Sequence, residues 1–509
     1  MSEEKKEEKK IDRRKYIKYV GAGAVVAAAA AIGYGVSELT RPPPPKPTTI
    51  VQPTTIVQTA LKTETLPGTT IVKTEERTVV QTAVTTVTPT VKKLNVLWTT
   101  EFVPGEQFAV LKAAEDYEKA TGVKVDITFY GATEAREKFT ALMEAKTPPD
   151  LANLRGHTPI LAAYRGQLVD VSDIVLDPKI KDDFFPVVLE ASYLLDNTTK
   201  KKSYYVVPIH LNFNYIHYWK DMLEAAGYKE PPLEWNEFWE AFKKAHKIWV
   251  KDGVYGIGIP LSSAARDTND TFEQLLLSQG ALTLTPEGKL NVDDPKVRQT
   301  IANTLEFLVS LYNEGYIPPG ATTWTNADNN KAMLGRKIIM TSNATLSIPA
   351  ALSVTDPIAY YTNMVTCHWP KAPDGSIGPY YAEASYAIIP KGTGNEELAK
   401  DFIRYILDKK NYVPFITGYA GRYLPVFKSV LEDPFFHNPK DLNIPASAKY
   451  FERPLVVASF QLSPAYAQFE LEVGWGKMIG RVLVDKWSID DAVNEAIERL
   501  KTLFKEYGA

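Results

Sequence analysis

The sequence predicts an α/β fold built on parallel sheet, and three observations carry that expectation. Residues 94–98 form a short apolar strand, 108–120 space their apolar side chains as a helix does, and 123–129 alternate as a strand. A strand, a helix and a strand with such short joints make a crossover unit, which pairs its strands in parallel. Units of this kind are expected again at 133–154, 254–281, 295–312 and 384–408, while 395–509 is mainly helical. The chain has 509 residues and is 45% apolar, enough for a large core and more than one domain.

In order along the chain, residues 12–18 place Arg13, Arg14 and Lys15 before an uncharged stretch from Tyr19 to Val36 built mostly of Ala, Gly and Val. Paired arginines ahead of a weakly apolar run resemble a twin-arginine export signal, with Tyr16 and Ile17 where Phe and Leu are usual. The alternative is a short membrane anchor with positive flanks. Residues 1–40 are therefore read as an export signal or an N-terminal anchor to the cytoplasmic membrane, cleaved or retained.

Residues 41–93 form a Pro/Thr-rich stalk or linker. The hexapeptide Pro-Thr-Thr-Ile-Val-Gln occurs at 47–52 and again at 53–58, and 16 of the 43 residues from 48 to 90 are threonine. Such composition offers no packable core, and an extended tract of this length reaches on the order of 100 Å. The charges are uneven: 58 Lys+Arg stand against 61 Asp+Glu, with a basic excess before residue 94 and an acidic remainder.

Composition also excludes function classes. A net charge of −3 opposes nucleic-acid binding as the main role. Cys367 is alone, so neither an intrachain disulfide nor a thiolate metal cluster can form. The chain has no His-Glu-x-x-His or Gly-x-Ser-x-Gly motif, and no nucleotide-binding Walker A loop. His210 and His217 read as structural. In open parallel sheets ligands gather beyond the carboxyl ends of strands, which makes Thr100 and Tyr130 candidate contacts.

The order of segments from 94 onward resembles one family. Val96-Leu97-Trp98 and Thr121-Gly122-Val123 come first, then Thr147-Pro148-Pro149-Asp150 and Gly166-Gln167-Leu168-Val169-Asp170-Val171. Next come Tyr204-Tyr205 with Pro208, Tyr218, Gly227, and Pro231-Pro232 before Trp235, Glu237 and Phe238. Gly335-Arg336-Lys337 and Asn395-Glu396-Glu397 with Ala399, Phe402 and Ile403 complete the series. Together they resemble the extracellular solute-binding proteins of ABC importers, in the maltose-binding-protein-like, carbohydrate-leaning group.

The resemblance implies a two-lobed periplasmic-binding-protein-like fold of type II, with hinge crossings and a ligand cleft between lobes. Lobe one would hold 94–212 and 371–404, and lobe two 213–370 and 405–509, with crossings near 210–215, 366–371 and 403–412. It implies a monomer that captures a carbohydrate by hinge closure without altering it, at the extracellular face of the membrane or the cell surface. The solute would pass to an ABC permease and, through it, to separate ATPase subunits; no cofactor or metal is implied.

Matched positions supply further site candidates: Arg155 and His157 after the Pro-Pro-Asp strand, Asn212 at the first crossing, Asp270 opening a helix, and Asn343. Thr345-Leu346 stands where relatives often carry a stacking tryptophan, and Tyr380-Tyr381-Ala382-Glu383 replaces a Gly-rich turn, so Tyr381 and Glu383 face the cleft or pack the hinge. Arg422 completes the polar set. Among nine tryptophans, Trp324 and Trp475 are the stacking candidates; Trp98, Trp219, Trp235, Trp239 and Trp249 read as packing. Alternatives keep the fold and change the solute to a polyamine, metal chelate or peptide, or make the chain a glycosidase or a stalked adhesin. A cluster of acids would favour the polyamine. Sequons at Asn197, Asn269 and Asn343 are candidate glycosylation sites.

Overall fold

A computed structural model describes residues 48–66, 69–87 and 92–508, so the expected export segment at 1–40 lies outside the described residues. Strands β1 (Thr48–Leu66) and β2 (Thr69–Val87) pair antiparallel along their whole length, Thr48 opposite Val87 and Leu66 opposite Thr69. Repeated Thr, Val and Ile fit a pleated strand, because a branched Cβ restricts the backbone least there. The tract expected as a single extended stalk is thus a doubled ribbon. Each limb is about 60 Å long, but its two ends are neighbours, so the ribbon itself adds no reach from end to end. It belongs to a unit of its own; a second unit begins at Lys93.

The remaining strands are β3 (Lys93–Thr99), β4 (Lys124–Tyr130), β5 (Leu151–Leu154), β6 (Tyr193–Asp196), β7 (Lys201–Tyr204), β8 (Val207–Phe213), β9 (Tyr215–Trp219), β10 (Tyr255–Ile257), β11 (Ile338–Asn343), β12 (Met364–Cys367), β13 (Tyr380–Ile388) and β14 (Leu455–Val457). One sheet runs β14-β13-β5-β3-β4, with β8 also on β13, and a second runs β10-β11-β9-β12; β6 and β7 make a hairpin. The helices that matter here are α1 (Gln107–Thr121), α2 (Ala132–Glu144), α3 (His157–Tyr164), α4 (Arg266–Ser278), α5 (Pro295–Asn313), α6 (Lys409–Thr417), α7 (Pro464–Leu471), α8 (Gly474–Leu483) and α9 (Ile489–Glu506).

The parallel pairing expected from crossover units is present at β3–β5, β10–β11 and β13–β14. Both sheets are nonetheless mixed, since β13 runs antiparallel to β5 and β8, and β9 to β11 and β12. The reason lies in two direct crossings. The chain leaves the first sheet at Phe213 and enters the second at Tyr215 with only Asn214 between, then returns from β12 to β13 through residues 368–379. A strand that continues into another sheet without a helix need not share the parallel sense of its neighbours.

Residues 295–312 are a helix alone rather than a crossover unit. Asp294 caps α5 by accepting from the backbone N–H groups of Lys296 and Val297, and Pro295 takes the first turn, where no donor is needed. The third crossing expected at 403–412 is not where the chain departs from the first sheet: α6 packs on α1, and β14 joins β13. Helix α9 buries Val493, Ile497, Leu500 and Phe504 along one stripe and packs on α8. Among the described residues no helix is long and apolar enough to cross a membrane.

Helix α4 departs from this pattern. All 13 of its residues are buried, yet Arg266, Asp267, Asn269, Asp270, Glu273 and Gln274 are among them. Ordinary core helices bury an apolar stripe, and charged side chains are rarely buried without partners.

Candidate functional site

The carboxyl end of β5 meets α4 and β13, and those of β3 and β4 meet each other. After β3, the Thr100 N–H donates to the carbonyl of Tyr130, the last residue of β4, at 2.9 Å, and its hydroxyl donates to Glu106 at 2.7 Å. The turn between them puts Phe102 at φ 72°, a left-handed backbone that costs a non-glycine residue about 1–2 kcal/mol. Glu106, buried, receives Arg422 Nη1 at 2.7 and 2.6 Å, and Arg422 also donates to the Glu101 carbonyl. The Arg422 guanidinium lies over the rings of Phe102 and Tyr423 at 5.6 and 4.8 Å.

After β5, Gly156 adopts φ 75°, ψ −150°, a region essentially closed to side-chain-bearing residues. That turn carries Arg155 and His157 to the same place. Arg155 reaches Glu383 of β13 at 3.4 and 3.3 Å. Arg266, from the first turn of α4, meets three carboxylates: Glu383 at 3.3 and 2.9 Å, Asp270 at 3.1 Å and Glu470 of α7 at 2.6 Å. Asn269 donates to the other oxygen of Glu470 at 2.7 Å.

Burial would raise the Glu383 carboxyl, but Arg155 and Arg266 outweigh it and hold Glu383 down to about 2. The other acids go the opposite way. Burial pushes Asp267 up to about 6 and Glu273 up to about 7, and lifts Asp270 well above its ordinary value because one shared guanidinium does not offset it. Burial, with Arg136 and Arg266 nearby, pushes His157 down to about 3, so its imidazole is neutral.

Several buried polar atoms have no partner: Asp270 Oδ2, Tyr381 Oη, His157 Nδ1, Asn212 Oδ1, Arg422 Nε, and both side-chain polar atoms of Asn214. Each unpaired group costs about 1–3 kcal/mol. Their concentration around α4, the strand ends and the β8–β9 crossing marks a place where a polar solute can supply what the chain withholds.

Of the residues singled out in the sequence, Thr100, Tyr130, Arg155, His157, Asp270, Glu383 and Arg422 fall in these adjoining networks. Asn212 stands opposite Glu383 in register and donates to the Ser385 hydroxyl at 3.2 Å. Tyr381 is tied to α4 through its N–H, which donates to Gln274 at 3.3 Å. Asn343 joins less directly, through Asn329, which donates to both Asn343 and Asp267. Half-buried Trp324 lies near the start of α4, where Ser262 donates to its carbonyl and the neighbouring Asn326 side chain accepts from the Asp267 N–H. Trp475 is different: it is fully buried, stacked on Phe272 at 5.1 Å, edge-on to Phe469 and hydrogen-bonded to Tyr466. Its ring packs against Phe272 of α4 and Phe469, while the N–H of the next residue, Gly476, donates to Asn269 at 3.1 Å.

Sequence reasoning missed Arg266, Asp267, Glu470, Arg136, Phe102 and Glu106. The signal for the first two was present: residues 266–274 are polar at every position except Phe272, leaving no apolar stripe. Glu470 and Glu106 carry no local signal, since only packing brings them to their arginines. Asn269 and Asn343 are buried and so cannot carry a glycan in this fold, whereas Asn197 lies in the β6–β7 turn. His217 bonds to Thr366 at 2.9 Å, and burial raises the Cys367 thiol. Among the described residues no group of three or more metal-ligating side chains is arranged to hold an ion.

A family model for bacterial extracellular solute-binding proteins matches residues 112–444. A putative binding protein of Brucella abortus (strain 2308) is 24% identical over 307 residues, 60% of this chain and 69% of that protein. A solute-binding protein of an ABC transporter from Thermotoga lettingae, bound with tagatose, superimposes with a TM-score of 0.69 at 19% identity, covering 81% of this chain and 99% of that one. Maltose-bound MalE3 of T. maritima gives 0.66 at 21% identity, covering 81% and 99%. At these identities the likeness is one of fold.

Proposed function

The chain belongs to the bacterial extracellular solute-binding proteins, and from that premise we propose that it captures a carbohydrate between two lobes and hands it to an ABC permease. The observation that carries this reading is the set of unpaired buried polar atoms gathered at α4 and the strand ends. Structural neighbours carry a sugar in the same fold, one tagatose and another maltose. A sugar offers hydroxyls that donate and accept, which suits a site holding carboxylates, amides and guanidiniums together.

In this reading the two sheets are the hearts of the two lobes, and residues 213–215 and 368–379 are the crossings that flex. The expected lobe limits, 94–212 with 371–404 and 213–370 with 405–509, are amended so that α6 and β14 go with the first. The solute closes the lobes because it contacts both only when they are closed. It leaves chemically unchanged, and ATP is hydrolysed on separate subunits. Export by the N-terminal segment, tethering at the cell surface and action as a monomer belong to the same proposal.

The test is thermal unfolding of the full-length chain with maltose, tagatose and a wider sugar panel. A ligand at 100 times its dissociation constant stabilises the fold by about 2.7 kcal/mol, a shift of a few degrees at most for a chain this long. A shift with a sugar that is recovered intact supports the reading. A sugar recovered cleaved would favour a glycosidase, and silence across the panel would sink the carbohydrate assignment.

A further inference from the structure

Asp267, Asp270, Glu273, Glu383 and Glu470 are all buried around α4, none more than 9% exposed. Arg155 and Arg266 stand among them, and Arg136 of α2 is near enough to act on His157. Even with all three arginines counted, carboxylates exceed guanidiniums by two. Arg422 does not help, being matched by Glu106.

The geometry shows where the excess lies. Arg266 divides its donors among Glu383, Asp270 and Glu470, while Glu273 has only Ser459, whose N–H it accepts at 3.1 Å. Asp270 has one oxygen on Arg266, and the other, Oδ2, has no partner. Tyr381 is held against the same helix by Gln274, one turn beyond Asp270, and its hydroxyl is also unpaired and buried. Asp270 is the charge that acts most strongly on the Tyr381 phenol, so an acidic cluster with an orphan carboxylate oxygen and an orphan hydroxyl within its field lacks a compact cation that can donate to both. Among the described residues the side chains are not arranged to hold a metal ion, and an ammonium, with three donors on one centre, meets the need.

We propose that the solute is an amino sugar, whose protonated amine sits against Asp270 Oδ2 and the Tyr381 hydroxyl. This rests on the solute-binding reading and narrows its substrate class. The arginines then serve to hold the carboxylates in place, and the hydroxyls of the sugar meet the neutral donors and acceptors such as His157 and Asn212. Without the amine, the excess charge is relieved by protons: burial raises Asp270 well above its ordinary value, and Arg266 does not offset it.

Calorimetry at neutral pH on the full-length chain tests this with glucosamine and its disaccharide, each beside its N-acetylated and plain glucose counterparts, and with spermidine as an amine lacking a sugar. The amine is expected to bind at least about tenfold more tightly than either counterpart, in line with a close buried charge pair. Asp270→Asn keeps the shape and should bring that ratio to within about threefold, with thermal unfolding of the variant confirming that it folds. Tyr381→Phe should weaken the amines severalfold more than it weakens the neutral sugars. Neutral counterparts that bind as tightly as the amines would overturn the inference while leaving the carbohydrate reading in place. Spermidine binding in preference to every sugar would keep the ammonium pocket and overturn the carbohydrate reading. No binding by any of these probes would overturn both.

Discussion

Glu273 shows how one buried carboxyl sets a pH dependence. Its ordinary value near 4.3 in an unfolded chain is pushed up to about 7 by burial, with Ser459 as its hydrogen-bond partner. Between those values the folded chain keeps a proton that the unfolded chain has released, so this group's contribution to stability falls as pH rises through the window and is flat above it. Glu273→Gln should be more stable than the parent above neutral pH by about 3 kcal/mol, and the advantage should fade below about pH 4.5; chemical denaturation of both proteins across that range measures it. Arg266 makes the opposite case. Arg266→Met leaves Glu383 and Glu470 buried with fewer partners and should cost about 3–5 kcal/mol in the same assay. At this scale the sequence was partly legible. Asp270 and Glu383 stood out by position, but their partner Arg266 did not, because nothing local says that its side chain meets β13 and α7.

Elements decide which of those side chains meet. The turn at Gly156 lifts Arg155 and His157 off the end of β5, and a Cβ there would stand 3.8 Å from the Arg266 guanidinium, so space permits it but the backbone does not. Gly156→Ala should therefore lose about 1–3 kcal/mol of stability through φ, ψ strain and displace Arg155 from Glu383; thermal unfolding and solute affinity read the two effects. Trp475 tests the opposite relation. Trp475→Leu should destabilise by about 2–4 kcal/mol, because it empties the stack on Phe272 of α4, yet leave solute affinity nearly unchanged once the protein is folded. A loss of affinity without loss of stability would return Trp475 to the cleft. Strand and helix positions were the most readable part of the chain: α1 and β4 fall within a residue or so of their expected limits, since periodicity and glycine turns are local signals. The mixed pairing of β13 and β9 was not readable, because strand sense depends on where the chain crosses.

For the whole molecule, the Glu383–Arg266 contact joins a strand of the first sheet to the helix that follows β10 of the second. Glu383→Gln should weaken that tie and leave the solute-free chain more open, with a larger radius of gyration in small-angle scattering; an unchanged radius would mean that the contact does not hold the sheets together. Taken alone, the sequence determined the α/β class, the solute-binding family, the first strand–helix–strand unit and the distinct composition of residues 41–93. Each of these rests on signals within a few dozen residues: hydrophobic period, turn residues, composition and the succession of short motifs. The tertiary structure decided that the threonine-rich tract doubles back as a ribbon, that α6 and β14 stay with the first sheet, and that Arg266, Glu383, Asp270 and Glu470 share one buried network. Glu383 and Glu470 lie 117 and 204 residues from Arg266. Pairings that distant come from which elements pack together, and that is settled by the burial of the whole chain rather than by any segment of it.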